Sequence, residues 1–148
     1  MNLIFDWVCI FIFIYQNFPA SLSIIETCED TYDSTNQQIY YPSFNSSLEA
    51  EANCSWKIVA PIDKTVILTF NIVEMDPTTE CDESYIQVFD GPDMNATRIG
   101  KRICGSSNLE SLESIGRDIY VAYSSIKANT SDRFRIGVNM PGNNRRNL

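Results

Sequence analysis

Short runs of alternating apolar and polar residues dominate the chain from about residue 38 onward. The runs are rich in β-branched and aromatic residues and are separated by turn formers, a pattern typical of an all-β sandwich or barrel. The predicted strands are Gln38–Tyr41, Cys54–Ala60, Thr65–Ile72, Tyr85–Asp90, Arg98–Cys104, Asp118–Ser124 and Arg133–Asn139. No amphipathic helix stands out. The only candidate for a helical turn is Ser106–Glu113, where an irregular connection is favoured.

The alternation also predicts which side chains point inward, because successive residues of a strand face opposite sides of the sheet. The predicted inward-facing residues are Trp56, Ile58, Ala60, Val66, Leu68, Phe70, Ile119, Val121, Tyr123 and Phe134. Tyr85, Phe89 and Tyr120 lie on the opposite faces from their aliphatic neighbours. The pattern leaves open whether these three fill a second layer or form an exposed binding patch.

The chain begins with an unbroken apolar run, Trp7–Tyr15, that is too short to cross a bilayer as a helix but suits a signal peptide. Small residues follow at Ser21 and Ser23, so we predict a signal peptide at residues 1–23 and a secreted chain without membrane insertion. Asp6 and the lack of Lys or Arg before the apolar run favour the alternative, an uncleaved membrane anchor.

Cysteine usage agrees with secretion. Of the five cysteines, Cys9 lies in the predicted signal peptide, which leaves Cys28, Cys54, Cys81 and Cys104. Four cysteines allow three disulfide pairings. A structural zinc site is less favoured, because such sites usually take ligands in close pairs and none of these cysteines has a near neighbour.

Four Asn-x-Ser/Thr triplets are candidate N-glycosylation sites: Asn45, Asn53, Asn95 and Asn129. If glycosylated, all four must lie at the surface. Asn53 is the weakest candidate because it adjoins Cys54, which we expect to be bridged.

The acidic balance narrows the possible partners. The chain has 11 basic and 19 acidic residues, a net charge of −8. Nucleic acid and anionic membranes are therefore not expected to bind, since phosphate binding needs the opposite sign. The basic pairs Lys101–Arg102 and Arg145–Arg146 are interpreted as solvated loops. The chain has no histidine, which removes Ser-His-Asp and Cys-His catalysis and histidine-ligated zinc.

Two segments together resemble the CUB domain family of extracellular proteins. The stretch CSWKIVAPIDKTVILTF, Cys54 to Phe70, is similar to the family's Cys-x-Trp-x-Ile-x-Ala-Pro and the strand that follows it. The stretch CDESYIQVFDG, Cys81 to Gly91, is similar to its Cys-x-Tyr-Asp-x-Leu-x-Val-x-Asp-Gly. Further matches are Tyr41-Pro42, Cys104-Gly105, the segment 116–123 and Phe134. We assign residues 28–139 to this domain. We expect the tail at 140–148 to be disordered, because the residues after Met140 (PGNNRRNL) are mostly polar.

The resemblance implies a jelly-roll β-sandwich of two antiparallel sheets with sequential disulfides, Cys28–Cys54 and Cys81–Cys104. It implies a non-enzymatic binding module that recognises an extracellular protein or glycan through loops at one end, in the manner of the single-domain spermadhesins. The alternative is an accessory, regulatory or truncated relative of an extracellular CUB-containing protease. The sequence leaves the ligand and the oligomeric state open.

Many CUB domains bind calcium, and the resemblance allows each ligand position to be compared. The family's first acidic ligand corresponds to Asp76, one methylene shorter, and its second to Ser84. The third falls at Ile126, and a tyrosine at 40 or 41 brings no charge. Calcium takes six to eight oxygens and depends on carboxylates. We therefore expect no bound metal and no cofactor, with Asp76 and Ser84 as residual weak candidates.

Overall fold

The computed structural model describes residues 25–42, 51–75, 81–106, 109–126 and 132–142. These ranges contain nine β-strands and no α-helix. The strands are β1 (Ile25–Tyr32), β2 (Gln37–Tyr41), β3 (Glu51–Val59), β4 (Ile67–Glu74), β5 (Ser84–Asp90), β6 (Thr97–Ile103), β7 (Leu112–Glu113), β8 (Asp118–Ser125) and β9 (Arg133–Asn139). Within the same ranges, no helix is long and apolar enough to span a membrane. The predicted signal peptide at 1–23 lies outside the described residues.

Two sheets pack face to face to form the predicted sandwich. One sheet has five strands in the order β1-β3-β8-β5-β6, and the other has four in the order β2-β9-β4-β7. The alternating residues of both inner faces form one buried cluster between the sheets, as expected for an aligned sandwich. The all-β sandwich and the sequential disulfides, Cys28–Cys54 and Cys81–Cys104, are confirmed.

The five-stranded sheet departs from the expected purely antiparallel pairing. β1 pairs with β3 in parallel, with Cys28 directly opposite Cys54, whereas the other pairings are antiparallel. The chain leaves the sheet after β1 and crosses to the other layer as β2. It returns as β3 in the original direction, a crossover that parallel pairing requires.

The predicted core is confirmed in β3 and β8, where inward residues such as Trp56, Ile58, Val121 and Tyr123 are buried and their neighbours are more exposed. Phe70 is only partly buried against the core. The register between β4 and β9 shifts just after Phe70, and such a bulge breaks the alternation of inward and outward side chains.

Two expectations for the connections differ from the structure. The segment Ser106–Glu113, where the sequence favours an irregular connection over a helical turn, contains the short strand β7, paired with β4. The chain stays ordered beyond residue 139: Met140 is buried, and Gly142 bridges to Lys64. Burial of the Met140 side chain supplies an anchor that the polar residues after it do not. Residues 143–148 lie outside the described ranges.

Candidate functional site: the two ends of the sandwich

The strand registers define two ends of the sandwich. At one end, called here the Ser84 end, Ser84 pairs with Ser125 and Tyr41 with Phe134. At the other, called the hairpin end, the turn between β5 and β6 lies beside the connections 60–66 and 114–117. Residues 43–50, 76–80 and 127–131 lie outside the described ranges, so Asp76 is not placed.

The Ser84 end contains a buried carboxylate, Asp132, that receives two hydroxyl groups. The Tyr123 hydroxyl donates to Asp132 Oδ2 at 2.8 Å, and the Ser84 hydroxyl donates to the same oxygen. All three side chains are almost completely buried. A buried charge is costly without partners, and hydrogen bonds to a charged group contribute about 1.5–3 kcal/mol each. The two hydroxyls therefore stabilise Asp132 within the sandwich.

Tyr123 connects this carboxylate to the aromatic core. Its ring centroid lies 4.4 Å from that of Tyr41 and 5.2 Å from that of Phe134. Burial, reinforced by the negative charge of Asp132, raises the pKa of Tyr123 well above its usual value. The phenol thus stays protonated and acts as a hydrogen-bond donor across the physiological range.

The described residues of the Ser84 end do not fit a calcium cage. Ser84 carries no charge, and its hydroxyl is already directed at Asp132. Ile126 donates its backbone N–H to the Glu83 carbonyl at 2.9 Å, and its side chain is 61% exposed. Among the described residues, no three His, Cys, Asp or Glu side chains are grouped to hold a metal ion. Among the described residues, Asp132 is the carboxylate that Ser84 and Tyr123 contact, whereas calcium needs six to eight oxygens.

The hairpin end presents large apolar side chains to solvent on three separate connections. Ile62, Met94 and Ile115 are 76%, 62% and 72% exposed. Exposed apolar side chains are unremarkable singly, but when they are grouped on neighbouring loops they are typical of interaction surfaces.

Hydrogen bonds hold these connections in place. Ala60 and Arg117 exchange two: Ala60 N–H donates to the Arg117 carbonyl at 2.8 Å, and Arg117 Nε donates to the Ala60 carbonyl at 2.9 Å. The Ile115 N–H donates to the Asp90 carboxylate at 3.1 Å. Asp90 therefore links the β5–β6 turn to the neighbouring loop, a role that its sequence context, a turn-forming Asp-Gly pair, does not reveal.

The outer face of the five-stranded sheet carries the aromatic residues whose role the pattern left open. Phe89 is buried there against Tyr120, with ring centroids 6.2 Å apart. Tyr85 lies under the guanidinium of Arg102, whose Cζ is 3.9 Å from the ring centroid. Lys101 and Arg102 are exposed, but they belong to strand β6, within the predicted strand Arg98–Cys104. The pair is therefore solvated, and its interpretation as a loop is wrong. The register between β5 and β6 shifts beside them, between Ile86 and Val88.

Two of the four candidate glycosylation sites are described, and both are exposed. Asn95 lies in the β5–β6 turn, where its N–H donates to Asp93 Oδ1 at 2.8 Å. Asn53 lies within β3, where its Oδ1 accepts a hydrogen bond from the Ser124 hydroxyl at 3.0 Å. Asn45 and Asn129 lie outside the described residues.

Relatives with similar sequences are much longer than this chain. The chain is 35% identical over 79 residues to human "Tolloid-like protein 2", covering 53% of this chain and 8% of the relative. It is 33% identical over 82 residues to human "Procollagen C-endopeptidase enhancer 1", covering 55% and 18%. Rat cubilin is 38% identical over 64 residues, covering 43% and 2%. The chain thus spans less than a fifth of the length of each of these relatives.

Solved structures share the fold at lower identity. The extracellular region of zebrafish Gpr126/Adgrg6 matches with a TM-score of 0.66 at 20% identity, covering 79% of this chain and 15% of that one. The Ca²⁺-bound MASP-1 CUB2 domain matches with a TM-score of 0.59 at 19% identity, covering 74% and 96%. The family model for the CUB domain matches residues 28–137, and the chain therefore belongs to the CUB domain family.

Proposed function

We propose that the chain is a secreted, non-enzymatic binding module that recognises an extracellular protein or glycan through the loops of its hairpin end. The observation that carries this proposal is the group of three exposed apolar side chains, Ile62, Met94 and Ile115, on adjacent connections. CUB domains are non-catalytic interaction modules of extracellular proteins, and two disulfides are typical of an oxidising compartment.

The physical case rests on exposed apolar area combined with rigidity. The centres of protein interfaces are depleted in charge and enriched in apolar residues. Ordering a loop on binding costs free energy, and a loop that is already fixed avoids much of that cost. The paired hydrogen bonds of Ala60 and Arg117, with the Asp90 contact to Ile115, supply this rigidity.

The test compares the two ends of the sandwich. The secreted chain is immobilised and exposed to extracellular-matrix extracts, and bound components are identified by mass spectrometry. The double variant Ile62→Ser/Ile115→Ser should lose most of the captured ligand. The control, Ile126→Ser, changes an isoleucine at the Ser84 end that is 61% exposed, and this variant should retain the ligand. Loss of capture in the control alone would place the binding surface at the Ser84 end and contradict the proposal.

A second candidate is an accessory or regulatory role toward an extracellular protease. The similarity to "Procollagen C-endopeptidase enhancer 1" favours it, since that relative's name describes the enhancement of an endopeptidase. In the same capture experiment, co-purification of a protease that free glycans do not displace supports this role. Release of the ligand by glycan competition supports glycan recognition instead.

We also propose that binding does not require calcium or another cofactor. The donor set at the Ser84 end supports this, because Ser84 is uncharged and already donates to Asp132. Capture should accordingly be the same in excess EDTA and in excess calcium chloride.

A further inference from the structure

A pocket of about 380 Å³ lies on the outer face of the five-stranded sheet, over β5 and β6. Gln87 and Phe89 are its most deeply buried lining residues. Tyr85, Ala122, Arg98 and Arg102 also line it. Its volume is within the range of small-ligand sites. Ala122 lies opposite Gln87 in the neighbouring strand β8, and its small side chain leaves space above the amide.

The pocket is positively charged in a chain that is otherwise acidic. β6 (TRIGKRI) contains three of the eleven basic residues and no acidic one. No Asp or Glu lines the pocket, although the chain carries 19 of them. Guanidinium groups are weakly hydrated and bind carboxylate and sulfate-like oxyanions through paired N–H donors. The local charge therefore complements an anionic ligand.

The bulge in β6 sets the spacing of the two arginines. Arg98 pairs with Phe89 and Ile103 with Ile86, and the register shifts between Ile86 and Val88. Gly100, with a φ of 71°, allows the chain to make this bulge. The Arg102 guanidinium lies over the Tyr85 ring, with its Cζ 3.9 Å from the ring centroid. Both arginines line the pocket, so that two acidic groups of one ligand can each meet one guanidinium.

Gln87 adds a neutral polar group to the pocket. Its side chain is 97% buried (3% exposed), and Oε1 has no hydrogen-bond partner among the described residues. A buried acceptor without a donor costs about 1–3 kcal/mol. A ligand hydroxyl that enters the pocket can provide this donor once the amide turns to meet it.

We propose that this pocket binds an acidic sugar unit, carboxylated or sulfated, of the kind that glycosaminoglycan chains carry. The proposal rests on the proposed binding function and adds a ligand class and a second surface to it. An acidic sugar brings acidic groups for the arginines and hydroxyl donors for Gln87. Ionised Asp and Glu side chains of a peptide accept hydrogen bonds but cannot donate them, so an acidic peptide matches the pocket less well.

The experiment measures binding of a heparin tetrasaccharide to the full secreted chain by calorimetry. The double variant Arg98→Ala/Arg102→Ala should weaken binding at least tenfold, because both guanidinium contacts are lost. Ala122→Leu should weaken it to a similar extent without any change of charge, because the added side chain fills the space above Gln87. The matched control, Arg145→Ala/Arg146→Ala, also removes two positive charges, but from the C-terminal tail. Its affinity for the tetrasaccharide should stay within twofold of that of the natural chain.

Thermal unfolding of every variant checks that the fold is kept. Arg98 and Arg102 are exposed on the edge strand β6, so their replacement should leave the core intact. Undetectable tetrasaccharide binding by the natural chain would overturn the proposal. So would equal losses in both arginine variants with none in Ala122→Leu, since binding would then depend on net charge alone. A hexaglutamate peptide that binds as tightly through the same residues would reassign the pocket to acidic peptides. Capture at the hairpin end does not use these residues, so the proposed function can hold where this inference fails.

Discussion

Ser84 is the residue at which the family resemblance places an acidic calcium ligand, and here its hydroxyl donates to Asp132. A buried carboxylate at this end of the sandwich therefore comes from a residue 48 positions further along the chain. Ser84 and Tyr123 each donate a hydrogen bond to it, and these two neutral donors stabilise its charge without cancelling it.

We predict that Ser84→Asp makes the fold calcium-dependent. A second carboxylate beside Asp132 is repelled by it in a buried site, and a divalent cation relieves that repulsion. Calcium should raise the Tm of Ser84→Asp by several degrees, at about 4 °C per kcal/mol, and leave that of the natural chain unchanged. The control is Ser84→Asn, whose side chain is similar in size to that of aspartate but uncharged. Calcium should not change its Tm. A calcium-induced rise in the Tm of the natural chain would contradict the prediction.

At the scale of single elements, the turn between β5 and β6 depends on the close approach of Gly91 to Ala96. A Cβ atom at Gly91 would lie 2.5 Å from the Ala96 Cβ, and the φ of Gly91 is 156°. Because the Asp90 carboxylate also accepts a hydrogen bond from the Ile115 N–H, this one turn positions both the hairpin-end loops and the rim of the outer-face pocket.

Gly91→Ala is therefore expected to destabilise the fold by about 1–3 kcal/mol, from the overlap with Ala96 and the strained backbone. Urea unfolding measures this as a lower midpoint at an unchanged slope. Gly116→Ala, where no atom lies within 4 Å of the added methyl group, is the matched control and should change stability by less than about 0.5 kcal/mol. Equal effects at the two glycines would show that the Ala96 contact is unimportant.

The strands that the sequence predicts well are those with one face in the core. β8 alternates strictly between buried and half-buried positions, and the apolar pattern follows that burial. β1 (IETCEDTY) was missed because an edge strand with three acidic residues shows little apolar alternation. The partnership of Asp132 with Ser84 could not be predicted either, because it depends on how β5 and the start of β9 meet across the two sheets.

At the scale of the whole molecule, the proposed functions occupy different surfaces. The exposed apolar group lies at the hairpin end. The basic pocket lies on the outer face of one sheet and meets the hairpin end at Met94, which lines it. The buried Asp132 lies at the end opposite the hairpin end. Asn95 lies next to the first two surfaces and Asn53 near the third. Any N-glycans attached at these residues would therefore decide which surfaces remain accessible to a partner.

Asn95 is expected to be glycosylated more completely than Asn53 in the secreted chain. Asn95 is exposed in a turn, whereas Asn53 is flanked in the sheet by β1 and β8, accepts the Ser124 hydroxyl and adjoins the bridged Cys54. Folding of the sheet thus competes with modification of Asn53. Glycopeptide mass spectrometry measures both occupancies. Cys28→Ser removes the bridge without altering the Asn53 triplet and should raise its occupancy, since an unlinked β1 leaves this segment open for longer. Full occupancy of Asn53 in the natural chain would show that the triplet is modified before the sheet closes around it.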